Sequence, residues 1–231
     1  MKSSARTATP RRRRTLRLSP SVVPEKIDLH LDLDPSRNSF RGEACYSLRL
    51  KKRTHQIELH GADLSVSSVH LVVNGKRLSG QVEAHPECET LLLRFPERLS
   101  EGPVELSLKF RGKVRDDLRG LYRSADRSQP WIASQLCPTD ARRLFPCFDE
   151  PGIKACYSIR VTAPADQTVL SNSKISREVS LPDDRKRVDF EPTPPLSAYL
   201  IAVAVGPFEA SRVARCGPTE IRVYTLPGRQ P

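Results

Sequence analysis

Strict alternation of apolar and polar residues runs through much of the chain and predicts β-strands. The pattern is cleanest over residues 27–34, 44–51, 104–110 and 157–161. Because successive side chains of a strand point to opposite faces of its sheet, each stretch has one face for a core and one for solvent. We find no window of eleven or more residues with an apolar repeat of the helical period. The pattern therefore predicts an all-β domain without long helices.

Three local signals add detail to this prediction. Residues 199–205 are apolar at almost every position, which predicts a central strand covered on both faces. Asn74-Gly75 separates two apolar stretches and predicts a two-residue hairpin turn. A single helical turn is expected around residues 139–144.

Composition restricts the class of protein. A chain of 231 residues is long enough for one large domain with its own core. The longest apolar stretch, residues 198–205, is far shorter than the ~20 residues that cross a bilayer. The first 20 residues contain no apolar run, so no secretory signal is expected.

The cysteines point to a reducing compartment. They show no C-x-x-C motif and no zinc-ribbon spacing, and we expect free thiols in a cytoplasmic protein. The six positions are Cys45, Cys88, Cys137, Cys147, Cys156 and Cys216.

The positive charge of the chain is concentrated in its first residues. Of a net charge of +11, seven Lys or Arg residues and no acids lie in residues 1–17. We predict a disordered basic tail over residues 1–17 and one β domain over residues 18–229. Alternative interpretations of the tail are a mitochondrial transit segment and a nuclear or nucleic-acid patch at Arg11 to Arg14. Nucleic-acid binding is disfavoured, because no stacking aromatic residues lie near these arginines.

Seven blocks of sequence, in a fixed order, carry a more specific signal. They are LSPSVVPEKIDLHLDLDP, QIELHGADLSVSSV, LRGLYRS, SQLCPTDARRLFPCFDEPGIKACYSIRVTAP, LSN, FEPTPPLSAYLIAVAVGPFE and RVYTLPGR. Together they resemble the N-terminal domain of zinc aminopeptidases of the aminopeptidase N family. The resemblance covers residues 18–229 and implies a saddle-shaped, β-sandwich-like first domain packed against a separate, thermolysin-like catalytic domain.

The zinc-binding motif of that catalytic domain is missing from this sequence. The resemblance implies H-E-x-x-H, a later glutamate ligand and a G-A-M-E-N loop in the complete enzyme, and none of them occurs here. His55 and His60, five residues apart in a predicted strand, would point to opposite faces rather than share a metal. We therefore expect no catalytic residue, no metal site and no cofactor in this chain, with zinc expected in the complete enzyme.

The resemblance assigns substrate contact to the proline-rich run, residues 134–151, which reads SQLCPTDARRLFPCFDEP. The family pattern is Q-x-E-P-T-x-A-R, so Gln135 matches the glutamine that lines the first side-chain pocket and bonds the peptide. Cys137 stands where the family usually has the glutamate that binds the substrate ammonium. A thiol is mostly neutral at pH 7 and accepts hydrogen bonds poorly, so this departure puts ordinary amine recognition in doubt.

The remaining charged residues of the proline-rich run have a structural interpretation. We expect Asp140, Arg142, Arg143, Asp149 and Glu150 to pair locally and to hold a loop that has no strand partners. An acid–base pair at Asp149-Glu150 is not expected, because adjacent side chains of an extended segment point apart.

Two functions follow from these observations. The first is a non-catalytic N-terminal domain of a zinc aminopeptidase, inactive alone, which binds peptide substrate jointly with a catalytic domain. The second is a stand-alone β-sandwich module for binding or scaffolding. The sequence stops close to the domain boundary of the family, which fits a piece of a longer protein or a stand-alone domain.

Overall fold

The computed structural model describes residues 17–126 and 129–229, which are built almost entirely from β-strands. The strands are β1 (Val22–Asp32), β2 (Ser39–Leu50), β3 (Thr54–His60), β4 (Ser65–Val73), β5 (Lys76–Ser79), β6 (Gln81–His85), β7 (Thr90–Leu99), β8 (Gly102–Lys113), β9 (Gly120–Asp126), β10 (Gln129–Gln135), β11 (Lys154–Pro164), β12 (Thr168–Ser171), β13 (Ile175–Leu181), β14 (Arg185–Phe190), β15 (Leu196–Ser197), β16 (Val203–Gly206), β17 (Glu209–Ala210), β18 (Ala214–Cys216), β19 (Thr219–Ile221) and β20 (Tyr224–Thr225).

Helical structure in these ranges is limited to three 3₁₀ turns, at Pro86–Cys88, Ala141–Arg143 and Ala198–Leu200. None of the described helices has the length and apolarity that crossing a bilayer requires. The all-β prediction is confirmed, and the turn expected around residues 139–144 is the second of these three. The predicted basic tail lies outside the described residues, apart from Arg17.

A nine-stranded sheet forms the body of the fold. Its order is β13-β14-β11-β1-β2-β8-β4-β5, with β15 paired to the start of β11. β1 runs parallel to β11, with Ile27 beside Tyr157 and Leu31 beside Val161. The neighbouring β2 is antiparallel to both β1 and β8. The four strands with predicted alternation therefore lie together at the centre of this sheet.

The inner face of this sheet carries the core. Its apolar residues are buried and form one cluster with side chains of two smaller sheets. One smaller sheet has the order β3-β7-β6, and the other has the order β12-β16-β10-β9. Tyr46 of β2 is fully buried, and its hydroxyl donates to the carbonyl oxygen of Pro146 in the proline-rich run. The core thus connects the large sheet to the segment that the sequence marks as substrate-facing.

The hairpin predicted at Asn74-Gly75 is confirmed. The two residues join β4 to β5, where Val73 pairs with Lys76. Both have positive φ, 50° and 75°, as a type I′ turn requires, and glycine adopts this conformation without a steric cost.

The prediction of one central strand over residues 199–205 is wrong in its first half. Residues Ala198–Leu200 form a 3₁₀ turn, and only β16 joins a sheet, between β12 and β10. The chain has to turn here, because β15 pairs with the large sheet and β16 with a small one. Leu200 is 47% exposed at this corner, whereas Val205 of β16 is completely buried. An apolar run indicates burial, but it does not show where the chain passes from one sheet to another.

The end of the described chain forms two short ribbons, residues 209–225. β17 pairs with β20, and β18 pairs with β19. None of the residues of these C-terminal ribbons is buried, and several large apolar side chains are exposed. They are Val213, Ile221, Val223 and Tyr224.

Candidate substrate-facing cleft

The proline-rich run begins at the end of β10 and returns to the large sheet at β11. After Gln135 the chain passes a cis peptide bond before Pro138 and enters the 3₁₀ turn Ala141–Arg143. The backbone N–H of Asp140 donates to the carbonyl of Leu136 at 2.9 Å, which closes the bend. Beyond the turn the backbone is anchored by apolar side chains that are buried in the core. These are Leu144, Phe145, Cys147 and Phe148.

Gln135 and Cys137 lie in the same cleft, whose volume is about 560 Å³. Both side chains are exposed to solvent. The other lining residues come from three separate segments of the chain. They are Glu89, Leu118, Arg119, Pro138, Thr139, Asp140 and Arg143. The structure therefore brings together the two residues that the sequence marked for substrate contact.

Gly120 sets the distance between β9 and the proline-rich run. It pairs with Gln135 in the ladder between β9 and β10 and has a φ of 62°. A β-carbon at this position would lie 2.9 Å from the β-carbon of Arg143. Any other residue would be strained and would push the two walls of the cleft apart.

Arg142 and Arg143 hold the cleft through a network of ion pairs. Arg143 donates to Asp140 at 2.9 Å and to Glu89 at 2.7 Å. Arg142 donates to Asp149 at 2.9 Å and to the second oxygen of Glu89 at 3.0 Å. The prediction of local pairing is confirmed for both arginines. The network also reaches Glu89, which is more than 50 residues away in sequence and ties the turn before β7 to the proline-rich run.

Asp149 is the buried end of this network, with only 3% of its surface exposed. Its carboxylate accepts from Arg142, and its backbone N–H donates to Nδ1 of His60 at 3.1 Å. A buried carboxylate needs a partner such as the Arg142 guanidinium, because desolvation otherwise disfavours its charge. Glu150 departs from the prediction of local ion pairing: its Oε1 accepts the backbone N–H of Leu18 at 2.7 Å. The two adjacent carboxylates thus have separate partners, as expected for an extended segment.

A second cleft of about 550 Å³ shares Arg143 with the first. Arg115 donates there to Asp63 at 3.0 Å, and Asp63 also accepts from Arg143. Hydrogen bonds from the Arg115 guanidinium lower the pKa of Asp117 to about 2. Arg143 is therefore the wall between two clefts and bonds to acids on both sides.

Sequence reasoning missed Glu89, Leu118 and Arg119. Leu118 and Arg119 come directly before β9, and their position beside Gln135 depends on the register between β9 and β10. Glu89 has a φ of 52°, which ends the turn Pro86–Cys88, and no local pattern marks its contact with the arginines. Tertiary pairing, rather than a motif, assembles this part of the cleft.

Comparison with models of known protein families gives a match over most of the β domain. The family model of the Peptidase M1 N-terminal domain matches residues 23–200. This chain belongs to the M1 peptidase family. It is an N-terminal domain of aminopeptidase N family enzymes, which confirms the resemblance read from the seven blocks.

Individual M1 relatives agree with the family match. A probable M1 family aminopeptidase of Encephalitozoon cuniculi is 36% identical over 194 residues, which cover 82% of this chain and 22% of the relative. Aminopeptidase M1 of Arabidopsis thaliana is 34% identical over 222 residues, covering 92% of this chain and 25% of the relative. The puromycin-sensitive aminopeptidase of Caenorhabditis elegans is 33% identical over 216 residues, covering 89% and 23%. The chain spans a quarter or less of the length of these relatives.

His55 and His60 of this M1 domain have different environments on β3. His55 is exposed and lies where the ladder between β3 and β7 shifts register, whereas His60 is 2% exposed and accepts the N–H of Asp149. Among the described residues, no three His, Cys, Asp or Glu side chains lie together in a way that could hold a metal ion. Zinc in proteins takes three or four such ligands, so these residues do not fit the zinc centre that the family implies for the complete enzyme.

The cysteines of the M1 domain are all free thiols, as predicted. Cys147 is completely buried, and burial raises the pKa of its thiol well above the ordinary value. Cys137 is exposed in the cleft. The two thiols of the proline-rich run therefore face different environments, one in the core and one beside the candidate substrate residues.

Proposed function

We propose that the chain is the non-catalytic N-terminal domain of a zinc aminopeptidase and forms one wall of its substrate site. The observation that carries this proposal is the common cleft of Gln135 and Cys137. Its walls are fixed by Arg142 and Arg143, so the two side chains stand on a rigid frame. The substrates of the complete enzyme would be peptides with a free N-terminal amine.

Gln135 has the chemistry to bind a peptide backbone. Its amide offers two donors and an acceptor oxygen without net charge, and it lies at the exposed end of β10. Cys137, one bend further along, offers only a weak donor and a weak acceptor. We propose that Gln135 orients the substrate and that its ammonium receives little stabilisation from position 137.

The catalytic domain, in this proposal, covers the outer face of the sheet that contains β10. Tyr122, Trp131 and Phe208 are half-buried there and pack edge to face, with ring centroids 5.9 and 6.0 Å apart. By strand alternation, Gln135 shares this face with Trp131. Half-buried aromatic clusters are common at protein interfaces. The chain matches a quarter or less of the length of each of these M1 relatives, which supports a further domain in the complete enzyme.

The zinc centre belongs to that catalytic domain in this proposal. We expect the isolated chain to hold no zinc after chelator washing and to hydrolyse no aminoacyl reporter substrate. Metal analysis by mass spectrometry, together with an aminopeptidase assay, checks both statements. One tightly held zinc ion per chain would contradict them.

The decisive experiment restores the missing acid. Cys137→Glu, in the chain joined to its catalytic domain, should raise kcat/KM for free-amino peptides by about ten- to a hundredfold. A hydrogen bond to a charged group contributes about 1.5–3 kcal/mol, and each 1.4 kcal/mol is about tenfold. The measurement is kcat/KM for one peptide series with free and acetylated amines.

Cys137→Gln is the matched control, because it has nearly the same size as Glu and no charge. It should not reproduce the gain, and acetylated peptides should respond to neither variant. If Cys137→Glu leaves the free-amino peptides unchanged or slower, position 137 does not face the substrate ammonium, and the proposed wall of the substrate site is wrong.

A further inference from the structure

The charges that line the cleft of Gln135 are mostly neutralised by one another. Glu89 accepts hydrogen bonds from Arg142 and Arg143, and Asp140 accepts from Arg143 at 2.9 Å. These carboxylates are partly buried, with side-chain exposures of 35% for Glu89 and 14% for Asp140. Since both oxygens of Glu89 and Oδ1 of Asp140 are already bound by guanidinium groups, the two acids are poor receptors for a further cation.

Arg119 is the exception to this neutralisation. Its side chain is exposed in the same cleft, and no carboxylate of the described residues lies within ion-pair distance of its guanidinium. Its backbone N–H bonds to the carboxylate of Asp117, which fixes the main chain and leaves the side chain free for another partner.

The backbone around Arg119 holds it at the end of β10. Leu118 and Gly120 both have positive φ, 59° and 62°, so the turn that presents Arg119 is tightly bent on each side. Gly120 pairs directly with Gln135. The free guanidinium therefore belongs to the same small region of surface as the amide of Gln135.

Position 137 of the same cleft carries a thiol where the family resemblance implies a glutamate. The charged lining residues are two acids, Glu89 and Asp140, and two arginines, Arg119 and Arg143. Both acids pair with Arg143, and Glu89 also pairs with Arg142, so Arg119 is the lining charge that has no ion pair among the described residues. A cleft with a free guanidinium beside a neutral amide has the chemistry of a carboxylate receptor, because guanidinium donates two parallel N–H bonds to a carboxylate.

We propose that this cleft binds a carboxylate group of the peptide substrate through Arg119 and thereby selects peptides with an acidic N-terminal side chain. This inference rests on the proposed function, since it names the substrate class of the same site. The carboxyl terminus of a short peptide has the same chemistry, and the experiment has to distinguish the two sources.

The test is a titration of the isotopically labelled 231-residue chain with three tripeptides, followed by nuclear magnetic resonance. The first is Glu-Ala-Ala with an amidated end, the second is Gln-Ala-Ala with an amidated end, and the third is Gln-Ala-Ala with a free carboxyl end. The first carries only a side-chain carboxylate, the third only a terminal one, and the second none. Signals of Gln135 and Cys137 report binding in the cleft.

The expected result is that the first peptide binds about three- to tenfold more tightly than the other two. This ratio equals a difference in binding free energy of about 0.7–1.4 kcal/mol. Arg119→Gln should remove this preference, and Arg119→Lys should retain part of it. Arg98→Gln is the matched control, because Arg98 is also exposed and has no ion pair among the described residues. It should bind all three peptides as the unchanged chain does.

Three results on the peptide preference would overturn the inference. They are equal affinity for the first and second peptides, a preference that survives Arg119→Gln, and tightest binding of the third peptide. Absence of shifts at Gln135 and Cys137 with every peptide would overturn it as well. The titration uses this chain alone, so its failure does not depend on the kcat/KM experiment with the joined catalytic domain. A gain from Cys137→Glu without any preference for acidic peptides would leave the proposed function standing and this inference refuted.

Discussion

The proline-rich run and the C-terminal ribbons show opposite relations between regular structure and burial. The run, residues 134–151, has no strand partners along most of its length, yet most of residues 141–149 are buried. The ribbons, residues 209–225, have paired strands and hairpin geometry, yet none of their residues is buried. Strand hydrogen bonds therefore identify regular segments in this domain but not the segments that stabilise it.

The reason lies in what each region gives to the core. Phe145 packs edge to face against Tyr157 of the large sheet, with ring centroids 6.2 Å apart. The Asp149 carboxylate accepts the backbone N–H of Arg142, and the Arg142 guanidinium donates to the backbone carbonyl of Asp149, so this irregular segment has partners for its polar backbone groups. In the ribbons, Arg215 and Glu220 pair across the strands with more than half of each side chain exposed, where a pair contributes little. The proposed substrate wall thus stands on an irregular segment that is anchored in the core.

The largest expected effect is at Phe145. Phe145→Ala should lower the free energy of unfolding by about 3–5 kcal/mol, because it removes a fully buried ring and leaves a cavity. Tyr224→Ala, an aromatic truncation in a ribbon, should cost less than about 0.5 kcal/mol. Urea unfolding of both variants measures the difference. Equal losses in the two variants would mean that the ribbons pack on the domain in solution.

A variant that fails to fold still leaves this comparison measurable. Phe145→Leu keeps most of the volume and should cost less than about 1.5 kcal/mol. Its unfolding midpoint should lie below that of the unchanged chain, even if Phe145→Ala does not fold.

The next effect concerns the ion pairs of the two regions. Arg142→Met should cost about 2–3 kcal/mol, somewhat below the range for a fully buried pair, because 11% of the arginine side chain is exposed. The loss comes from leaving Asp149 charged and buried without its main partner. Arg215→Met in the ribbon should cost less than about 1 kcal/mol. Urea unfolding at low and high salt checks both, and a loss at Arg142 that disappears in high salt would show that the pair is exposed to solvent.

The smallest expected effect is a difference in thiol reactivity. Cys216 in β18 is exposed, whereas Cys147 is buried and its pKa is raised by burial. Since the thiolate is the reactive form, iodoacetamide should modify Cys216 at least about tenfold faster, a difference of about 1.4 kcal/mol in barrier. Mass spectrometry of digested samples gives both rates. Modification of Cys147 at the rate of Cys216 would show that the proline-rich run opens readily.

The fold was predictable from sequence wherever one face of a strand is buried. Ile27, Tyr46 and Leu106 lie on adjacent strands of the large sheet, and their alternation with polar residues reflects that burial directly. β13 was not predicted, because it lies at the edge of the sheet and has no buried residue to leave a pattern. The corner at Leu200 was missed for a different reason, since an apolar run does not show where the chain changes sheets.

The candidate cleft was predictable only in part. Gln135 and Cys137 were found through the resemblance to a family, because no physical pattern distinguishes a substrate-facing glutamine from any other exposed one. Glu89 and Arg119 come from turns whose positions depend on strand register, and register is a tertiary property. The roles of Gln135 and Cys137 in substrate binding stay predictions.

The parallel pairing of β1 with β11 has a consequence for synthesis of the chain. Lys26 pairs with Cys156, which is synthesised about 130 residues later, and this separation corresponds to about 7–26 s of translation. During this interval one edge of β1 has no partner, although β2 and β8 are already available on the other side. Unpaired strand edges promote aggregation. The nascent chain therefore has a vulnerable period that closes only when the segment after the proline-rich run has left the ribosome, and this domain should depend on chaperones more than its size suggests.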